Sequence, residues 1–224
     1  MIVAKRKPFE EIKESVVGAK RILVLGCGTC VAVCLAGGEK DVAILALQLK
    51  MALKLENQDV HIDELTIERQ CDREFIEQIG TRVNPDDYDV ILSMACGAGV
   101  QLLSDVFEHK VVLPALNTTF IGVAEKLGVW SERCSGCGDC ILGKTAGLCP
   151  IARCAKQLLN GPCGGSVNGK CEISKDVDCV WQLIIDRLTK LDRLEMLEKI
   201  FPVKDWSPAG HGGPRKMVRE DLKL

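Results

Sequence analysis

Thirteen of the 224 residues are cysteine, and eight of them fall between Glu132 and Cys179. That crowding constrains the chain more than its overall composition does. The segment is rich in glycine and has no regular apolar periodicity, so it is poorly equipped to bury a large core. Metal coordination supplies the stabilisation that such a segment lacks. An odd count of cysteines fits a complete set of disulfides poorly. The opening MIVAKRKPFEEIKESVV has neither the apolar stretch nor the small-residue cleavage site of a secretory signal. No apolar run reaches the roughly 18–20 residues of a membrane span. The expectation is a soluble, cytoplasmic chain, in a compartment where thiols stay reduced and clustered cysteines bind metal.

Within the crowded segment, Cys134-Ser-Gly-Cys137-Gly-Asp-Cys140 spaces three thiols as C-x2-C-x2-C, followed by Cys149-Pro150. This spacing lets three thiolates of one loop meet three irons of a [4Fe–4S] cubane, and a later Cys-Pro is the usual fourth element. A zinc ribbon uses two separated C-x2-C pairs instead. Eight residues part Cys140 from Cys149, so the fourth ligand stays open among Cys149, Cys154, Cys163, Cys171 and Cys179. Those not used form a second site, for which a cluster, zinc and buried structural thiols all stand as readings.

The stretch before it alternates strand-like and helix-like patterns. Strands are expected at Arg21–Leu25, Val60–Leu65, Tyr88–Ser93 and Lys110–Leu113, and helices at about 41–55, 71–79 and 99–107. The first of these helices carries Ile44, Leu45, Leu47, Met51 and Leu55. Such alternation implies βαβ units and a parallel sheet covered on both faces. The fold class is α/β: a Rossmann- or flavodoxin-like domain over 1–130, a small cysteine-rich domain with a C-terminal helix over 131–201, and an extended tail over 202–224. Two turns of the sheet carry cysteine, Gly26-Cys27-Gly28-Thr29-Cys30 running on to Cys34, and Cys96-Gly97. Ligands of doubly wound sheets bind at the carboxyl edge, where the strand order reverses. Cys27, Cys30, Cys34 and Cys96 are therefore candidates for one further cluster, and Cys71 approaches the same edge. A dinucleotide fingerprint is the competing reading, but Val31 stands at its third glycine position; plain structural thiols are another.

The remaining signals are weaker. A net charge of −2 and 4% aromatics give no footprint for nucleic acid or an anionic membrane. His61, His109 and His211 share no ligand spacing. Val180, Ile184, Leu188, Leu191 and Leu194 place one apolar face on a helix expected over about 176–200, in which Trp181 reads as packing. The tail from Pro202 to Leu224 is expected to dock on a partner through Trp206, not to fold on this chain.

The run SGCGDCILGKTAGLCPIARCAKQLLNGPCGGSVNGKC after Cys134, the helix that follows it and the tail DWSPAGHGGPRK resemble the methylenetetrahydrofolate reductase C-terminal domain family. The CGTCVAVC element of the first half agrees. The resemblance implies an iron–sulfur electron-transfer subunit of a methylenetetrahydrofolate reductase complex, serving one-carbon metabolism in the acetyl-CoA pathway. It implies two or three [4Fe–4S] clusters, with zinc as a lesser cofactor. It also implies a flavin-containing catalytic partner subunit, a TIM barrel with FMN or FAD, and further electron-donor subunits. No flavin site, folate site or acid–base pair is evident in the chain itself. The alternatives are a zinc-stabilised assembly module and a self-sufficient flavin or nicotinamide oxidoreductase.

Overall fold

The computed structural model describes residues 1–210 and 213–222. His211 lies outside them. The chain divides into two compact units, Met1–Ser131 and Glu132–Leu224.

The first unit is mixed α/β. A four-stranded parallel sheet is built from β2 (Arg21–Cys27), β3 (His61–Ile67), β4 (Val90–Met94) and β5 (Val111–Pro114), in the order β3-β2-β4-β5. Strand order therefore reverses between β2 and β4, which makes their carboxyl ends the switch point. β2 and β4 are buried almost throughout, as strands covered on both faces must be. Ile22 and Val24 point to one face and pack with Val42, Leu45, Leu49 and Leu53 of α3 (Glu39–Leu55). Leu23 and Leu25 point to the other. There they meet Ile76 of α4 (Arg73–Glu77), Ile79, Ile91 and Leu103 of α5 (Gly97–Val106).

The α3 helix differs from its sequence pattern in one respect. Leu45 is buried, but Ile44, Leu47, Met51 and Leu55 form an exposed stripe. The helix carries more apolar residues than its core face can use.

A second sheet is antiparallel, with β1 (Ile2–Arg6) on β6 (Leu116–Lys126) and β6 beside β7 (Val129–Cys134). No periodicity announces it: β6 reads LNTTFIGVAEK, with polar residues on both faces, and its partner lies over a hundred residues away. The expected helix at 71–79 is shortened to α4 and a 3-10 turn over Gln78–Thr81, with Asp72 capping the backbone N–H of Glu74.

In the second unit the buried apolar side chains gather around α7 (Val180–Lys190): Leu148, Val180, Trp181, Ile184 and Leu188. This helix is half the expected length. Ser174–Asp178 is instead a strand, β9, paired with β8 (Lys170–Cys171). Beyond Lys190 the chain leaves the helix, and Asp192 takes a left-handed φ of 52°. Leu191 and Leu194 are consequently exposed.

Nor does the tail stand off as expected; it folds onto its own unit. The Lys204 ammonium is buried, donates to the Asp139 carbonyl at 2.9 Å and pairs with the Asp139 carboxylate at 3.0 Å. Arg215 bridges the carbonyls of Gly136 and Pro208 at 2.7 and 2.8 Å. Trp206 lies under the same Lys204 ammonium, 5.4 Å from ring centre to nitrogen.

Candidate metal centres

The carboxyl edge of the parallel sheet is organised by glycines and one buried glutamine. Turning after β2, the chain makes the single turn α2 (Cys30–Val33) and passes Gly37, where a Cβ would strike the Met94 carbonyl oxygen. A Cβ on Gly26 would lie 2.5 Å from Thr66 Oγ1 and 2.6 Å from Val42 Cγ2. These glycines let strands and helices approach closely, which accounts for them without a phosphate. The open cleft beside Gly28 holds the carboxylates Glu39, Glu64 and Glu68 against Arg82. Three carboxylates to one guanidinium repel a pyrophosphate, so the geometry runs against the dinucleotide reading.

Cys27 closes β2, and its Sγ lies 3.6 Å from Thr29 Oγ1 and 3.9 Å from the Glu68 carbonyl oxygen. Cys96 is the N-cap of α5. Cys30 opens α2 and is half-buried. Cys34 departs from the arrangement its spacing suggests. It is buried against β1, where its Sγ accepts from the Ala4 N–H and donates to the carbonyls of Ala4 and Val31, each at 3.5 Å. Its sulfur is thus engaged with the backbone of β1. Burial pushes its thiol up. Cys71 is exposed at the same edge as Cys27 and Cys96. Burial of its sulfur, followed by the neighbouring Cys96 and Cys27, pushes its thiol up.

In the second unit the loop Cys134–Cys140 is shaped by Gly136 and Gly138, whose φ values of 60° and 80° only glycine adopts freely. The Gly136 N–H donates to Cys134 Sγ at 3.4 Å, and the Gly165 N–H does the same for Cys163 Sγ at 3.5 Å. Cys149 precedes the single turn α6 (Pro150–Arg153) as its N-cap, and Cys154 follows as its C-cap. Cys154, Cys163, Cys171 and Cys179 line one enclosed cavity of about 20 Å³, with Glu172 and Trp181 in its wall. Four of the five open candidates thus line one cavity, and Cys149 stands at the other end of α6 from Cys154. Among the described residues, no three His, Cys, Asp or Glu side chains are placed as they would be around a metal ion.

The minor candidates find ordinary partners. His61 pairs with Asp63 and His109 with Asp86, all at the surface. Trp181 is 3% exposed and donates from its indole N–H to the Leu158 carbonyl at 3.1 Å, which is packing. Sequence reasoning misses Gln70 and Lys204, because each acts on a partner far away in the chain.

Fold and thiols together describe a mixed α/β protein with cysteines concentrated at a sheet edge and in a glycine-rich second unit. Residues 113–207 match the family model described as methylene-tetrahydrofolate reductase C terminal. That span includes all eight cysteines of the second unit and relates this part of the chain to methylenetetrahydrofolate reductases. No curated protein and no solved structure matches the chain. Among the described residues no helix is long and apolar enough to cross a membrane.

Proposed function

We propose that this chain is the iron–sulfur electron-transfer subunit of a cytoplasmic methylenetetrahydrofolate reductase complex, working beside a flavin-containing catalytic subunit. The observation that carries the reading is the match over residues 113–207, which spans the C-x2-C-x2-C loop and every cysteine after it. Cys134, Cys137, Cys140 and Cys149 would hold one [4Fe–4S] cluster, and a second cluster would sit at the carboxyl edge of the parallel sheet. A bound cluster takes up and releases one electron at a time, whereas a flavin handles one or two. The chain's own part is to hold thiolates in place and direct backbone N–H groups at sulfur, as Gly136 does for Cys134. Lys204 adds a buried positive charge beside the loop that carries Cys137 and Cys140. The exposed stripe of Ile44, Leu47, Met51 and Leu55 supports a protein partner, since contiguous apolar surface of this kind marks docking sites.

For Cys154, Cys163, Cys171 and Cys179 the cavity favours a different occupant. A volume of about 20 Å³ suits one atom-sized guest rather than a cubane. Four cysteines lining one cavity match the ligand count of structural zinc in its all-cysteine sets. Zinc there would stabilise the unit and take no part in redox chemistry.

Replacing Cys137 by Ala tests the first reading. The expected result, after anaerobic isolation, is loss of about four irons per chain with zinc unchanged. Unchanged iron and an unchanged EPR spectrum of the reduced protein would overturn it.

A further inference from the structure

We propose that Cys71 takes the place that spacing assigns to Cys34, so that Cys27, Cys30, Cys71 and Cys96 form the thiolate set at the sheet's carboxyl edge. The inference deepens the proposed function and rests on its reading of an iron–sulfur cluster at this edge.

The argument begins with Gln70, which is fully buried. Its amide nitrogen donates to the carbonyls of Leu25 and Gly26 at 2.9 and 3.0 Å. Its amide oxygen accepts from Ser93 Oγ at 2.6 Å, and that hydroxyl in turn accepts from the Ala95 N–H at 3.3 Å. One side chain from the segment after β3 is thus tied to the ends of both β2 and β4, across the switch point. A buried amide with all of these bonds made is costly to displace. The backbone of Gln70 is pinned as well: a Cβ on Gly99 would lie 2.9 Å from Gln70 Cβ and 3.3 Å from its carbonyl carbon. Gly99 stands in the first turn of α5, and the Cys96 carbonyl accepts its N–H at 2.9 Å. Cys71, the next residue after Gln70, is therefore held beside Cys96.

The same segment also runs along Cys27. The Gly28 N–H donates to the Ile67 carbonyl at 2.9 Å, and Cys27 Sγ faces the Glu68 carbonyl. Cys30 joins Cys27 by the short reach of C-x2-C. Cys34 is turned the other way, its sulfur engaged with the backbone of β1. Freeing it would leave the Ala4 N–H and carbonyl without their partner in a buried setting.

The test uses the full chain, reconstituted anaerobically with iron and sulfide. Cys71→Ser is expected to lose about four irons per chain, as is Cys96→Ser, while Cys34→Ala keeps them. Iron lost from Cys34→Ala but kept by Cys71→Ser overturns the choice of ligand. Iron kept by both Cys71→Ser and Cys96→Ser overturns the cluster at this edge altogether, which is a separate failure. Because Cys34 is buried and its variant is prone to misfold, the wild-type chain gives an independent readout. Iodoacetamide should modify Cys71 faster in the apo chain than once iron and sulfide are bound. Equal rates in the two states overturn the proposal.

Discussion

Between Met1 and Ser131 two sets of buried side chains sandwich a parallel sheet, whereas between Glu132 and Leu224 the buried apolar residues gather around one helix. The first unit holds β2 and β4 by Leu23, Leu25, Ile91 and Leu92, all fully buried. Apart from Leu148, the second has the α7 face of Val180, Trp181, Ile184 and Leu188, surrounded by glycine turns and thiols. Small apolar cores rarely carry a fold alone. On the proposed reading, cysteines do different work in the two settings. In the first unit a metal would be a passenger on a scaffold that stands without it. In the second it would be part of what makes the scaffold.

Metal removal should expose this asymmetry most visibly. Under anaerobic chelation, amide exchange across 132–222 should rise toward unfolded rates while β2 and β4 keep their protection. A second unit that stays protected without metal would show that α7 and its neighbours suffice. The reciprocal perturbation is a core truncation. Leu25→Ala should cost about 3 kcal/mol of stability, read from the denaturant midpoint, because it empties a fully buried site on β2. Metal bound by the second unit should not change. If iron and zinc there fall with it, the two units are not independent.

The asymmetry also explains which parts of the molecule are legible in its sequence. The central strands β2 and β4 are legible because buried strands spell themselves out as short apolar runs, such as ILVL and VIL. A doubly wound sheet brings the turns after such strands to one edge, and this alone pairs the Cys27 turn with the Cys96 turn. The antiparallel sheet is not legible, since β1 and β6 are paired by residues as distant as Ile2 and Ile121. The surroundings of Cys34 are hidden from spacing for a related reason. C-x2-C-x3-C suggests one loop, but the α2 turn carries Cys34 round to β1, where its sulfur meets the Ala4 backbone. Periodicity over-extends the α7 helix because Leu191 and Leu194 continue it, and nothing local announces the left-handed Asp192. The tail escapes sequence reasoning because its contacts to Gly136, Gly138 and Asp139 span more than sixty residues.

A subtler change sharpens the same contrast. Gly138 holds φ at 80°, and a Cβ there would lie 2.5 Å from Pro208 Cβ. Gly138→Ala should therefore cost about 1–3 kcal/mol and release the tail. Trypsin should then cut at Lys204 and Arg215 sooner than in the wild type. An unchanged cleavage rate would mean that the tail's hold on the loop is not what protects it.

The smallest expected effect separates the units by acid. Asp89 accepts the N–H groups of Lys20 and Arg21 at 2.7 and 2.9 Å where β2 begins. Those bonds hold its carboxyl below the ordinary carboxylate range. A group whose pKa is lowered by folding stabilises the fold above its unfolded value, and that contribution fades as pH falls through the folded value. In the first unit Asp89 therefore contributes nothing to any change above the carboxylate range. Thiolates that bind metal release it as they protonate, and the second unit should lose its structure at a higher pH than the first. Asp89→Asn should remove a small part of the first unit's acid dependence and leave the pH of metal release where it was. A single acid transition shared by both units, monitored by exchange in β2 and by metal release, would undo the distinction between a scaffold that carries metal and one made by it.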